Sequence, residues 1–235
     1  MQVGVIERLA RYAVKSMRGE AVPVATLTLQ GLEGDRRHAF VQAASRSSFP
    51  WLTSRELPEM LCYKTSVEGS GSAAVVMVTA PGGEKWRVES DELRQLLEAR
   101  SGRALFLLHD YRGSYDVAQV SIISRQTVAR IAEESATVED PWRFRPNLLV
   151  DLENGKAYDE AKWVGRILRV GDTARVAVTE VDQRCVMITL DPDGGEASPS
   201  VLRCVAQQHK SCAGVYGMVL TPGEVRARDR IEIEG

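Results

Sequence analysis

Cys185 follows Arg184 in Val181-Asp182-Gln183-Arg184-Cys185-Val186-Met187-Ile188, where an apolar, strand-like run is broken by charge and a thiol. A guanidinium beside a cysteine favours the thiolate, the form that binds metals and attacks electrophiles. Taken alone, the segment favours a plainer reading, a small buried apolar residue, which is the usual place of a free cysteine. Four other segments supply cations. Lys15-Ser16 precedes Met17-Arg18-Gly19, and Gly31-Leu32-Glu33-Gly34-Asp35-Arg36-Arg37 lies between two strand-like runs. Thr53-Ser54-Arg55 precedes Pro58, and Arg143-Phe144-Arg145-Pro146-Asn147 leads into another such run. Lys as a point charge, Arg as a two-pronged donor and glycine backbone N–H groups are the parts of phosphate sites. Each cluster read singly is a solvated or structural loop; a barrel could bring them to one mouth.

The elements that would position these residues are mostly short strands. Val3–Tyr12, Val22–Leu29, His38–Val41, Ala73–Thr79 and Lys85–Val88 read as strands in the first half, the last two joined by the turn Pro81-Gly82-Gly83. Ala104–Leu108, Val117–Ile123, Asn147–Asp151, Ile167–Val170, Arg175–Val181, Val186–Leu190, Val215–Leu220 and Arg230–Ile233 follow, with Gly-containing turns between many of them. Helices are expected at Asp91–Ser101 behind a Ser90 cap, after a Ser124 cap, and from Ser198-Pro199 to Gln208. Many short strands with few helices predict a mainly β fold of the α+β type, a β-barrel rather than a doubly wound sheet. The polar stretch His109–Asp116 is the candidate boundary, which divides the chain into residues 1–110 and 111–235.

The 235 residues include 30 Lys and Arg against 32 Asp and Glu, a formal net charge of -2. No positive field is left to attract nucleic acid or an anionic membrane, so neither is an expected partner. Cys62, Cys185, Cys204 and Cys212 match no C-x-x-C pair, and a chain this long needs no disulfides. The N-terminus meets a charge within seven residues, without a secretory or membrane-spanning run, so a cytoplasmic protein with reduced thiols is expected. A zinc site from Cys204, His209 and Cys212 is set aside, because C-x4-H-x2-C is no usual structural spacing. His38 reads as a packed or surface histidine, His109 and His209 as solvated. Trp51, Trp86, Trp142 and Trp163 read as core or groove wall.

Six motifs taken in order carry a resemblance. They are Tyr12-Ala13-Val14-Lys15-Ser16-Met17-Arg18-Gly19, Gly31-Leu32-Glu33-Gly34-Asp35-Arg36, Thr53-Ser54-Arg55-Glu56-Leu57-Pro58-Glu59-Met60, Phe144-Arg145-Pro146-Asn147, Trp163-Val164-Gly165, and Arg184-Cys185 with Asp191-Pro192-Asp193-Gly194. The chain resembles the MOSC family, proteins related to the C-terminal domain of molybdenum cofactor sulfurase. The first three motifs resemble its N-terminal β-barrel subdomain. The resemblance implies a molybdopterin-type cofactor held between two β-rich parts, with Cys185 as the molybdenum ligand. It further implies that Lys15, Ser16, Arg36 and Arg145 hold the cofactor, with Arg55 and Asn147 as lesser candidates and Asp116 as an acidic site residue. Similar family members reduce N-hydroxylated substrates, and with no cysteine-rich tail after Gly235 the electrons would come from a separate donor protein. The alternative is a non-redox carrier of the cofactor, or of sulfur as a Cys185 persulfide. Ala13 departs from the family's usual proline, without removing a polar group.

Overall fold

A computed structural model of the protein describes residues 1–69 and 73–234. Its first half contains β1 (Gln2–Arg11), β2 (Glu20–Val22), β3 (Val24–Thr28), β4 (Gly31–Leu32), β5 (His38–Gln42), β6 (Lys64–Glu68), β7 (Val75–Thr79), β8 (Lys85–Arg87), α1 (Asp91–Ser101) and β9 (Leu105–His109). The second half contains β10 (Val120–Ser124), α2 (Arg125–Ser135), β11 (Leu148–Leu152), β12 (Ile167–Val170), β13 (Ala174–Gln183), α3 (Pro199–Gln208), β14 (Cys212–Thr221), β15 (Gly223–Arg226) and β16 (Arg230–Ile233).

Seven strands close a barrel in the order β11-β10-β14-β13-β12-β16-β1, and β1 returns to β11 to complete it. The closing strand pairs Ile6 with Val150 and Leu9 with Leu148 on one side, and Gln2 with Glu232 on the other. All these ladders are antiparallel except β10 with β11, which run parallel and therefore need a crossover; α2 lies in that crossover. Side chains alternate across each strand, so Ile6, Ile122, Val150, Val176, Val215 and Ile231 meet inside without solvent exposure. Closure leaves the barrel with no open edge of its own.

A second core lies between the β5–β9 pair, the β6-β7-β8 sheet and α1, where Val14, Met17, Phe40, Met60, Val78 and Leu93 are buried. The third is outside the barrel, where α2 and α3 bury Val128, Ile131, Val201 and Val205 against Ile123, Leu149 and Ile188. Among the described residues the fold is mainly β with three α-helices, the expected class. The cores do not follow the chain in two blocks, however. Strand β1 and residues Leu27 and Leu32 belong to the barrel core, and β3 pairs with β15. Strands β1, β3 and β4 are therefore built into the second half, while Val14 and Met17 between them belong to the second core.

Several local expectations are corrected. The run Val22–Leu29 is two strands, because Pro23 lies between β2 and β3 and has no N–H for a ladder. Val186–Thr189 is a 3-10 helix instead of a strand, with Leu190 after it. The strand expected from Val117 begins only at Val120, and Ser198 makes no side-chain cap for α3. Ser90 and Ser124 do cap α1 and α2, accepting from the N–H groups of Leu93 and Thr127. Strands β6 and β15 were not anticipated.

Candidate functional site

A cleft of about 300 Å³ lies where the barrel meets the second core. The first half contributes Lys15, Ser16, Arg36, Phe49 and Arg55, and the barrel contributes Asp116, Arg145, Asn147, Asp182 and Cys185. Every residue nominated from the sequence therefore reaches one cavity, although those residues span positions 15 to 185.

Chain reversals deliver the cations. Ser16, Arg36 and Arg145 have φ of 64°, 50° and 54°, a left-handed conformation that side chains other than glycine rarely adopt. Such residues cost roughly 1–3 kcal/mol each and persist only where the surroundings fix them. The fixing bonds are present. The Ser54 hydroxyl donates to Ser16 O at 2.8 Å, Arg36 N–H donates to Tyr12 O at 2.7 Å, and Arg145 N–H donates to Trp142 O at 3.2 Å.

Arg36 donates to Arg145 O at 3.2 Å and pairs with buried Asp35, whose other oxygen accepts the Tyr12 N–H at 2.6 Å. Burial opposes the Arg36 charge, but Asp35 and then Tyr12 raise its pKa above the ordinary guanidinium value. Arg145 donates to Met17 O at 2.7 Å, and both guanidiniums lie over the Tyr12 ring, at 4.8 and 4.4 Å from its centroid. Burial and then the charge of Arg36 bring Arg145 down to about 10. Two cations held so close against their repulsion are stabilised by an anion.

Lys15 is 6 % exposed; its Nζ donates to Ser114 O at 2.7 Å and to Asp116 Oδ1 at 2.5 Å. The same Nζ lies over the rings of Trp51 at 4.7 Å and Phe49 at 5.1 Å. Burial lowers the Lys15 pKa and Asp116 partly restores it. Burial raises Asp116, and Lys15 outweighs that and holds the carboxyl below its ordinary value. Arg55 is exposed and stacks over Phe49 at 4.7 Å. Asn147 lines the cleft; its Nδ2 donates to Ala10 O at 3.2 Å, and its Oδ1 accepts the Ser121 N–H at 3.1 Å and Arg36 Nη1 at 3.5 Å.

Cys185 is exposed, not the buried apolar residue that the segment alone favours. It stands at the end of β13, in extended conformation, where the 3-10 helix Val186–Thr189 begins. The guanidinium of the neighbouring Arg184 makes three bonds. Its Nε donates to Ala213 O and Nη1 to Phe144 O, both at 2.8 Å, while Nη2 pairs with Asp182 at 2.8 Å. Arg143 is the clamp on the segment after the cysteine. Its Nη1 donates to Ile188 O, Thr189 O and Leu190 O, at 3.2, 3.1 and 2.8 Å.

Asp182, Ser121 and Tyr216 also line the cleft and were not nominated. Asp182 accepts from the Ser121 hydroxyl at 3.2 Å, and burial pushes its carboxyl up to about 6 against the pull of Arg184. A signal existed: Asp182 keeps the two-residue phase of the buried Ala174, Val176 and Val178 along β13. Trp142 lies between Arg8 and Arg18, at 4.2 and 5.6 Å from their guanidinium carbons. The lining thus carries Lys15, Arg36, Arg55, Arg143, Arg145 and Arg184 against Asp116 and Asp182. Arg143 Nε is buried there without a hydrogen-bond partner. An anionic ligand fits this excess of positive charge, and the exposed sulfur provides a soft donor for a metal.

Residues 110–232 match the family model for the MOSC domain, and residues 3–110 match that for the MOSC N-terminal beta barrel domain. The chain belongs to the MOSC domain family. This MOSC protein is similar to the molybdenum cofactor sulfurase of Drosophila mojavensis, with 33% identity over 104 residues, which is 42% of this chain and 12% of that protein. It thus spans a small part of that relative's length. Among solved structures, the YuaD protein of Bacillus subtilis has a TM-score of 0.55 and 14% identity, covering 99% of this chain and 96% of its own. YiiM from Escherichia coli has a TM-score of 0.46 and 14% identity, covering 100% of this chain and 70% of that one. The YuaD likeness concerns the fold alone. No described helix of the MOSC protein is long and apolar enough to cross a membrane.

Proposed function

We propose that this MOSC protein binds a molybdenum–pterin cofactor in the cleft and reduces N-hydroxylated compounds, with electrons from a separate donor protein in the cytoplasm. The observation that carries this reading is an exposed thiol, Cys185, in one cavity with an excess of fixed cations. Thiolate suits a metal that the soft dithiolene sulfurs of such a cofactor already hold. Lys15, Arg36 and Arg145 would take its phosphate and pterin oxygens, with Ser16 and Arg55 at the same wall. When bound, the group supplies two-electron oxygen transfer, the part of the chemistry that side chains cannot perform.

The chain's own residues orient and neutralise. Arg143 fixes the carbonyls behind Cys185, so the sulfur leaves β13 in one direction. Lys15 would exchange its bond to Asp116 for a phosphate oxygen, which would leave the half-exposed Asp116 carboxylate of the cavity lining unpaired. Phe49 and Trp51 shield the Lys15 ammonium from water.

The test measures molybdenum by mass spectrometry, and released pterin by fluorescence, in protein made by a cofactor-producing host. Wild type is expected to carry the metal and to reduce benzamidoxime or 6-N-hydroxylaminopurine with a chemical reductant. Cys185→Ser is expected to lose the metal with its stability within about 0.5 kcal/mol of wild type, since the side chain is exposed. Equal metal occupancy in the variant would reject the ligand, and metal-loaded wild type without turnover would reject the reductase. The exposure of Cys185 also suits a sulfur carrier. A cyanide-labile sulfur on Cys185 after incubation with a desulfurase, in metal-free protein, is the outcome that selects it.

A further inference from the structure

A second group of donor atoms sits between the outer helices, and none of its residues lines the cleft. Glu134 comes from the last turn of α2, Cys204 from the body of α3, and His209 from the residue that ends α3. Glu134 Oε2 lies 2.6 Å from His209 Nε2 and 3.4 Å from Cys204 Sγ, and the three donor atoms are within 4.8 Å of one another. Zinc bonds of about 2.0–2.3 Å in a tetrahedron hold ligand atoms about 3.4 Å apart. A small outward turn of the Glu134 carboxylate would open the set to that spacing.

The surroundings are arranged for a ligand as well. Tyr158 stacks on the His209 ring, with centroids 4.0 Å apart and planes 20° apart, which fixes the imidazole. The Tyr158 hydroxyl is buried without a hydrogen-bond partner. His209, expected to be solvated, is instead held by Glu134 and Tyr158. Cys212, the partner considered from the sequence, stays outside, and its Sγ donates to Lys210 O at 3.3 Å. The third ligand comes from a helix 70 residues before Cys204, so local spacing could not reveal it.

We propose that Glu134, Cys204 and His209 form a divalent metal site for which zinc is the fitting ion, with water as the fourth ligand. One sulfur, one nitrogen and one oxygen suit a borderline-soft ion and not Mg2+ or Ca2+. On binding, the Cys204 thiol proton leaves to solvent, the proton between His209 Nε2 and Glu134 moves by way of solvent to Nδ1, and Glu134 exchanges its bonds to His209 and Cys204 for one to the ion. Thiolate and carboxylate together cancel the ion's two charges. The site joins α2 to α3, and α3 packs through Val201 and Val205 on Ile188, three residues past Cys185.

The test titrates the chelator-treated 235-residue chain with Co2+. The expected result is one Co2+ per chain, with the near-ultraviolet sulfur-to-cobalt charge-transfer band and strong visible bands of tetrahedral cobalt, all displaced by Zn2+. Cys204→Ser removes the charge-transfer band, and His209→Gln weakens binding by at least about tenfold, the low end of what an outer-shell change costs. Cys185→Ser and Cys212→Ser keep both signals, which separates this site from the cleft. No band in folded wild type, a band that survives Cys204→Ser, or one lost with Cys185→Ser would each overturn the assignment. Circular dichroism reports folding of each variant. If Cys204→Ser does not fold, wild type, His209→Gln and Cys212→Ser decide by the same signals.

Discussion

Two buried guanidiniums, Arg143 and Arg184, line the cleft and capture backbone carbonyls, Arg143 those of Ile188 to Leu190 after Cys185 and Arg184 those of Phe144 and Ala213. Hydrogen bonds from a charged donor contribute about 1.5–3 kcal/mol each, and carbonyls stripped of their partner cost more when buried. Arg143→Ala is therefore expected to destabilise the protein by about 3 kcal/mol and to speed alkylation of Cys185. Denaturant midpoints and thiol-labelling rates check both, and unchanged labelling would remove the clamp from the account. At this scale the sequence was informative about residue type: Lys15, Arg36, Arg145 and Cys185 stand out by their chemistry, whereas Asp116 came only with the family resemblance. The role of Arg184 was not legible in the same way. Successive side chains in extended backbone point to opposite sides, so Arg184 shares a side with Asp182, two residues before it, and pairs with it.

Among the elements, the strand β5 shows how pairing changes chemistry. His38 is opposite His109 in the β5–β9 register, their rings stack at 4.5 Å, and His38 Nδ1 is buried without a partner. Burial, then the His109 charge, brings the His38 imidazole down to about 4, from an ordinary value near 6.5. As pH falls from about 6.5 to about 4, the unfolded chain takes up a proton that the folded one refuses, so stability is lost through that window. The loss is on the order of 3 kcal/mol at its lower end. A His38→Gln variant should lose less melting temperature than wild type between neutral pH and about pH 5; parallel curves would refute this. The sequence's periodicity located nearly every long element, and it failed at Val186–Thr189. That β-branched run favours a strand, but the Arg143 bonds to Ile188, Thr189 and Leu190 belong to a turn of 3-10 helix. No local pattern contains a partner that lies more than forty residues away.

For the molecule as a whole, the barrel class was legible from the many short strands, but the interleaving of the two halves was not. The contacts that decide it, Leu9 with Leu148 and Gln2 with Glu232, join positions that no window of sequence compares. A fragment of residues 111–235 lacks β1 and leaves β11 and β16 unmatched around an open core. It is expected to stay unfolded or to aggregate, as circular dichroism and size-exclusion chromatography would show, while the 235-residue chain folds. A well-dispersed, monomeric fragment would refute that dependence. The union of Gln2 with Glu232 also orders events in time. While the ribosome is still adding residues, β1 can pair with β2, but its barrel neighbours β11 and β16 are made far later in the chain. Whatever requires the closed barrel can dock only after translation has passed β16.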